Sequence, residues 1–232
     1  TNAVFTKTRE VLAQWGYEEY QASPLERTEL YESKGNEEII NEQTYTFEDR
    51  GGRRVTLRPE MTPTLARMVA GKRRELSFPL RWFSIGNRFR YERPQRGRLR
   101  EFFQTDVDLI GLPDGEADLE IIVLASEILK ALGASEKDFV FRVNSRKLLK
   151  LACAVAGLPE GEASKAYWQL IDKKSKMKVE EFEEARKQFD ADPLAIIESD
   201  SDVEVTAEKN ALLAKIAELK KRGVANVVFD TD

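Results

Sequence analysis

"FRYERPQRGRLREFFQTDVDLIG", residues 89–111, holds Arg90, Arg93, Arg96, Arg98 and Arg100 within eleven positions of a 232-residue chain whose formal net charge is −4. A basic cluster in an acidic chain is a local feature, which argues against a broad positive face for nonspecific nucleic-acid binding. Leading into it, "LRWFSIGNRFRY" puts Phe83, Ile85, Phe89 and Tyr91 at odd positions and Ser84, Gly86, Arg88 and Arg90 at even ones. Leading out of it, Phe103, Val107 and Leu109 alternate with Phe102, Gln104, Asp106 and Asp108. A period of two sends the two sets to opposite faces of a strand. The stretch therefore reads as a hairpin turning near Arg96, with Arg90 opposite Phe102, Gly86 opposite Asp106 and Ser84 opposite Asp108.

One face of that hairpin carries cations, an aromatic ring, an amide and carboxylates around a glycine that leaves space. Such a face suits a zwitterionic metabolite beside a phosphate. Arginine rather than lysine favours bidentate contacts to carboxylate or phosphate, and Phe102 offers a ring on which a base can stack. The plainer alternative is a solvent-facing sheet surface with a charged loop.

The rest of the composition bounds the class. With 41% hydrophobic and 34% charged residues the chain is an ordinary folded protein, and its length allows two units. No apolar run approaches the ~20 residues that span a bilayer, and the opening "TNAVFTKTREVLAQWG" is amphipathic rather than signal-like, so no membrane association and a cytoplasmic location are expected. There is no histidine, which removes imidazole bases, Ser-His triads and most zinc sites. The single cysteine, Cys153, sits in the apolar run "KLLKLACAVAG" and reads as a core residue.

Along the chain, apolar spacing predicts a helix over 3–15 ending at Gly16, a hairpin in "YTFEDRGGRRVTLRP", and a helix from "MTPTLARMVAGK" with Thr62 at the cap and Pro63 at its first position. A further helix follows between 114 and 132, then a strand in "DFVFRVN". From Ser145 the chain turns to lysine- and glutamate-rich helices, and "ANVVFDTD" reads as one more strand. The fold class expected is α+β, with a sheet flanked by helices. A helical unit at 144–224 interrupts the sheet domain of 1–143, and residues 225–232 return to that sheet.

The segments "GYEEYQASPLE", "YTFEDRGGRRVTLRPEMT" and "FRYERPQRGRLREFFQ" resemble, in order and spacing, the catalytic core of the class II histidyl-tRNA synthetases. The likeness runs to about residue 143, and 144–224 resembles more weakly the insertion of that family. The resemblance implies activation of histidine with ATP to histidyl-adenylate and transfer to tRNA(His), by a homodimer with Mg²⁺, for which the sequence names no ligand. It matches Pro24 to the dimer-interface proline, Glu60, Thr62 and Gln104 to contacts of the substrate α-ammonium, and Arg90 to the catalytic bridge between the histidine carboxylate and the α-phosphate. Glu92 and Phe102 match the adenine side, and Arg98 matches the contact to the terminal phosphates. Asp108 falls where the family often has a glutamate against the imidazole, so the charge is kept on a shorter arm. Motif 3, a later catalytic arginine and the anticodon-binding domain have no counterpart, so the chain reads as an N-terminal fragment of poor activity. The alternative resemblance is to the regulatory subunit of ATP phosphoribosyltransferase, a histidine-sensing binding module, although such a module has no need for the full "FRYERPQRGR" loop.

Overall fold

The computed structural model describes residues 2–32, 43–92, 97–113, 115–158, 160–171, 173–174, 177–189 and 191–230. Within these, the chain runs α1 (Asn2–Gln14), β1 (Glu18–Glu19), β2 (Leu25–Arg27), α2 (Glu29–Glu32), β3 (Tyr45–Glu48), β4 (Arg54–Leu57), α3 (Thr62–Lys72), β5 (Leu80–Phe89) and β6 (Glu101–Ile110). It continues through α4 (Glu116–Ala131), β7 (Phe141–Val143), α5 (Arg146–Val155), α6 (Glu162–Ile171), α7 (Val179–Arg186), α8 (Pro193–Ser199), α9 (Val203–Lys221) and β8 (Val227–Phe229). Two units result, residues 1–132 and 133–232.

In the first unit, the ten-residue strands β5 and β6 pair antiparallel along their whole length, and β1 adds to β5 in parallel. The odd face of the hairpin is the apolar one. Phe83, with Ile85 and Val107 beside it, packs against Val11 and Leu12 of α1, Tyr17, and Leu124 of α4. The amphipathic spacing read over 3–15 thus becomes a helix that buries Leu12 completely. It stops at Gly16, whose φ of +75° is a left-handed conformation that glycine adopts without strain. At the edge of this face Arg81 on β5 grips Glu120 on α4 through two 2.7 Å hydrogen bonds, and Tyr17 donates to the same carboxylate at 2.9 Å. Those donors hold the Glu120 carboxyl below its ordinary pKa. A second sheet, ordered β2–β4–β3, is antiparallel throughout, as the hairpin reading of "YTFEDRGGRRVTLRP" expects.

The register of the main hairpin differs from the expectation by two residues. Arg88 lies opposite Phe102, Gly86 opposite Gln104 and Ser84 opposite Asp106. Alternation assigns faces but not the offset between strands, and a slip of two keeps every side chain on its face. The expected turn at Arg96 lies outside the described residues, as do Arg93 and the last two positions of "ANVVFDTD". The cap of α3 differs as well. Met61 occupies that position, Thr62 is the first helical residue, no side chain caps the end, and Pro63 still falls in the first turn, where its missing N–H costs nothing.

The second unit begins earlier than the change in composition suggests, after Leu132 rather than after Val143. The reason is pairing: β7 makes its ladder with β8, in parallel. The returning strand therefore completes a two-stranded sheet with β7 and, among the described residues, does not belong to the β1–β5–β6 sheet. Between the two strands, helices supply the crossover that parallel pairing requires. The Ser145 hydroxyl accepts from Leu148 N–H, and the Asp192 and Asp202 carboxylates cap α8 and α9. Cys153 is buried with Tyr167, Ile171, Phe182 and Leu194, and burial pushes its thiol up to about 11, consistent with a core role. No helix among the described residues is long and apolar enough to cross a membrane.

Leu12→Ala should cost about 2–5 kcal/mol, because a completely buried leucine leaves a cavity against β5 that its rigid neighbours fill only in part. Urea unfolding followed by tryptophan fluorescence measures this. An unchanged midpoint would mean that α1 does not share the core of the sheet.

Candidate active site

The even face of the β5–β6 hairpin is polar, and what it buries sets its chemistry. Arg88 has no exposed surface. Its Nη2 donates to Asp106 Oδ2 and, at 3.2 Å, to Ser84 Oγ, while Nη1 donates to the Asn87 carbonyl at 3.0 Å. A guanidinium removed from water needs a counter-charge, and Asp106 on the neighbouring strand supplies it. The other oxygen of Asp106 accepts from Gln104 Nε2 at 2.8 Å.

Gly86 makes room for a second guanidinium. A Cβ there would lie 2.7 Å from Arg58 Nη2 and 3.5 Å from Arg88 Nη1. Arg58 reaches this position from the end of β4, held by donation from Nε to the Asn87 carbonyl at 2.9 Å and from Nη1 to the Ala22 carbonyl at 3.0 Å. Burial, followed by the neighbouring charge of Arg88, holds its pKa below the ordinary value.

Further along the same face Asp108 is pushed up to about 6, first by burial and then by Asp106. Tyr20, packed with Met61, Leu65 and Trp82, borders this end. Its hydroxyl is buried without a partner in hydrogen-bond geometry among the described residues, although Ser84 lies near it. Burial, with the charges of Asp108 and Asp106, pushes the phenol up to about 12.

At the opposite end Arg90 continues the polar row. Its N–H donates to the Arg100 carbonyl at 2.9 Å, its Nε donates to the Pro59 carbonyl at 3.1 Å, and its guanidinium lies 5.4 Å from the centre of the Phe102 ring. The Pro59 contact brings Arg90 to the segment that carries Glu60, which is half-buried, and Thr62, which is exposed. Glu92 accepts from Arg98 Nη1 at 3.1 Å, and Arg100 stacks 4.0 Å over the Tyr91 ring.

Of the residues singled out in the sequence, Arg90, Phe102, Gln104 and Asp108 thus share one face, Glu60 adjoins it through Pro59, and Glu92 and Arg98 pair in the loop beyond it. Pro24 is elsewhere in role: it is exposed at the entry to β2, and its carbonyl accepts from Arg58 N–H at 2.9 Å. The sequence reading left out Arg58, Tyr20 and the Arg88–Asp106 pair. Even numbering already puts Arg88 and Asp106 on the polar face, whereas nothing local marks Arg58 or Tyr20, which arrive from other elements.

A family model described as histidyl-tRNA synthetase matches residues 1–225. The chain belongs to the histidyl-tRNA synthetase family. A histidine–tRNA ligase of Leptospira biflexa is 44% identical over 185 residues, covering 78% of this chain and 41% of that relative, so the chain spans less than half of the relative's length. The solved histidyl-tRNA synthetase of Nostoc sp. PCC 7120 aligns over 98% of this chain and 55% of its own, with a TM-score of 0.73 at 24% identity. A Bacillus halodurans structure described as an ATP phosphoribosyltransferase regulatory subunit/histidyl-tRNA synthetase aligns over 98% of this chain and 62% of its own, with a TM-score of 0.75 at 24% identity. These two likenesses concern the fold alone, and they bear out the α+β synthetase-like core. The regulatory-subunit reading gains nothing over the histidyl-tRNA synthetase family from them.

The raised pKa of Asp108 has a thermodynamic consequence. Because its folded-state value of about 6 exceeds the ordinary 3.8, the native state binds the extra proton between those values. The group therefore destabilises the fold above about pH 6, and the penalty fades as pH falls towards 4. Asp108→Asn removes it and should stabilise the protein by about 1–2 kcal/mol at pH 7.5, after discounting for solvent screening at a part-exposed group. The gain should vanish near pH 4 in denaturation curves measured across that range. A pH-independent difference would show that Asp108 is not desolvated.

Proposed function

We propose that the protein carrying this chain is a histidine–tRNA ligase, which activates histidine with ATP to histidyl-adenylate and passes the histidyl group to tRNA(His). The observation that carries this reading is the placement of Arg90, held by the Pro59 carbonyl and laid against Phe102, at one end of a polar face that ends in Asp108. A cation fixed between a row of polar acceptors, Gln104 and Asp108 among them, and an aromatic ring suits an amino acid whose carboxylate must meet a nucleotide phosphate.

In this reading Glu60, Thr62 and Gln104 receive the α-ammonium group, and Asp108 faces the imidazole. Near pH 6 a carboxylate and an imidazole compete for one proton, so Asp108 favours a ring N–H directed towards it. Arg90 spans the substrate carboxylate and the α-phosphate, Glu92 and Phe102 flank the adenine, and Arg98 meets the terminal phosphates. The ionised carboxylate attacks the α-phosphorus and pyrophosphate leaves, so no general base is needed and a chain without histidine is no obstacle. Arg98 must first leave Glu92. That pair is mostly exposed on the arginine side, so breaking it costs about 1 kcal/mol or less.

Among the described residues, no group of three or more His, Cys, Asp or Glu side chains is arranged to hold a metal. Magnesium enters the proposal as part of the Mg·ATP substrate, where it would neutralise charge on the phosphates. A homodimer in which Pro24 lies at the interface and a cytoplasmic location belong to the same proposal, with no membrane partner.

The test is histidine-dependent ATP–pyrophosphate exchange by the protein carrying this chain. Arg90→Ala should lower the rate about a hundredfold or more, the loss of one preorganised contact to charge in the transition state. Exchange that proceeds without histidine would overturn the substrate assignment, and histidine binding without exchange would favour a regulatory role. Calorimetry adds a separate check on the pocket: Asp108→Ala should weaken histidine binding and leave ATP binding nearly intact. Equal losses would make Asp108 a support of the sheet.

A further inference from the structure

Gln104 and Asp106 stand two residues apart on β6, on one face, and the amide nitrogen of Gln104 donates to Asp106 Oδ1. The direction of this bond is dictated by chemistry. A carboxylate offers only lone pairs, whereas a primary amide has a donor end and an acceptor end. Facing Asp106, Gln104 has to turn its NH₂ group inward, and its Oε1 then points the other way. Among the described residues this is the one hydrogen bond of the Gln104 side chain.

Asp106 is not at liberty to swing away. Its Oδ2 is taken by Arg88, which is itself wholly buried and tied to Ser84 and to the Asn87 carbonyl. Gly86, opposite Gln104 in the ladder, leaves the space that the Arg58 guanidinium fills, so two fixed cations stand behind the carboxylate. Charge, burial and pairing all act on one carboxylate whose remaining free choice is made for it.

We propose that Asp106, anchored by Arg88, is a positioning residue that sets the polarity of the Gln104 amide, so that the pocket presents an acceptor and not a donor to the α-ammonium group of the amino acid. This rests on the reading of Gln104 as an ammonium contact given above. Asp106 does not touch the substrate. It decides which end of a neighbour does, and an amide released from it could present NH₂ to a cation.

The variant Asp106→Asn reverses the logic. The new side chain's Oδ1 still accepts from Arg88, so its Nδ2 faces Gln104, which must then turn Oε1 inward and NH₂ towards the substrate. Isothermal titration with histidine and with imidazolepropionate, which lacks the ammonium group, reads the effect on the protein carrying this chain. Histidine affinity should fall about tenfold or more, the loss of a hydrogen bond to a charged group, with imidazolepropionate affinity unchanged. Adding Gln104→Glu should restore histidine binding to within threefold of wild type, because one oxygen of the introduced carboxylate accepts from the introduced amide and the other meets the ammonium. A purely structural role for Asp106 predicts no such rescue and an equal loss for both ligands. Should the single variant fail to fold, the double variant, which keeps the charge of the site, carries the test: affinity within threefold supports the assignment and a tenfold loss overturns it. Wild-type protein that binds histidine no better than imidazolepropionate would overturn the ammonium reading itself. Wild type and Asp106→Asn with the same preference for histidine would overturn the positioning role alone.

Discussion

A guanidinium with none of its surface in water is the fixed point of the first unit. Removing such a group from solvent costs several kcal/mol unless a counter-charge and further acceptors meet it, and the partners that meet Arg88 come from both strands of the hairpin. Asp106 can serve only in the observed pairing, with Ser84 directly across from it. A slip of two residues along β6 would keep the side chains on the same face and carry Asp106 away from Arg88. The buried pair thus selects among registers that hydrophobic alternation leaves equivalent. With the register fixed, Gln104 falls opposite the space at Gly86 and Asp108 opposite Trp82.

Arg90, Arg98 and Arg100 do not share a fate. Arg90 is held by a carbonyl and a ring, Arg98 is itself exposed and pairs with the part-buried Glu92 carboxylate, and Arg100 is stacked on Tyr91. In the proposed function, one held cation and one exposed cation suit a site that keeps one phosphate in place and admits others.

Whatever depends on local periodicity was legible in the sequence. The helix against the sheet, both hairpins, the polar and apolar faces, and the neighbourhood of Arg90, Gln104 and Asp108 all follow from alternation or helical spacing. Illegible features were those made by segments distant in the chain. The register depends on a buried pair eighteen residues apart, Arg58 enters the site twenty-nine residues from Asn87, and Tyr20 is buried by α3. The unit division falls away from the change in composition for the same reason, since composition changes at Ser145 but the ladder of β7 is completed by residues near the far end of the chain. Thr62 is the counter-example: a residue with good local capping chemistry became the first residue of its helix instead.

The pairing of β7 with β8 also bears on the order in which the second unit assembles. Phe141 and Val227 are neighbours in the ladder, yet more than eighty residues separate them along the chain. Joining two short strands across such a span carries a loop-closure entropy that a three-residue ladder cannot offset by itself. The helices between them must gather first, bringing the two ends within reach and shortening the effective loop. The small sheet thus depends on the packed helices to hold its two strands together. Because its strands are parallel, the chain leaves the helical unit travelling in the direction in which it entered, displaced by a single strand spacing. Helices could be lengthened or exchanged between these strands without altering the path of the chain on either side.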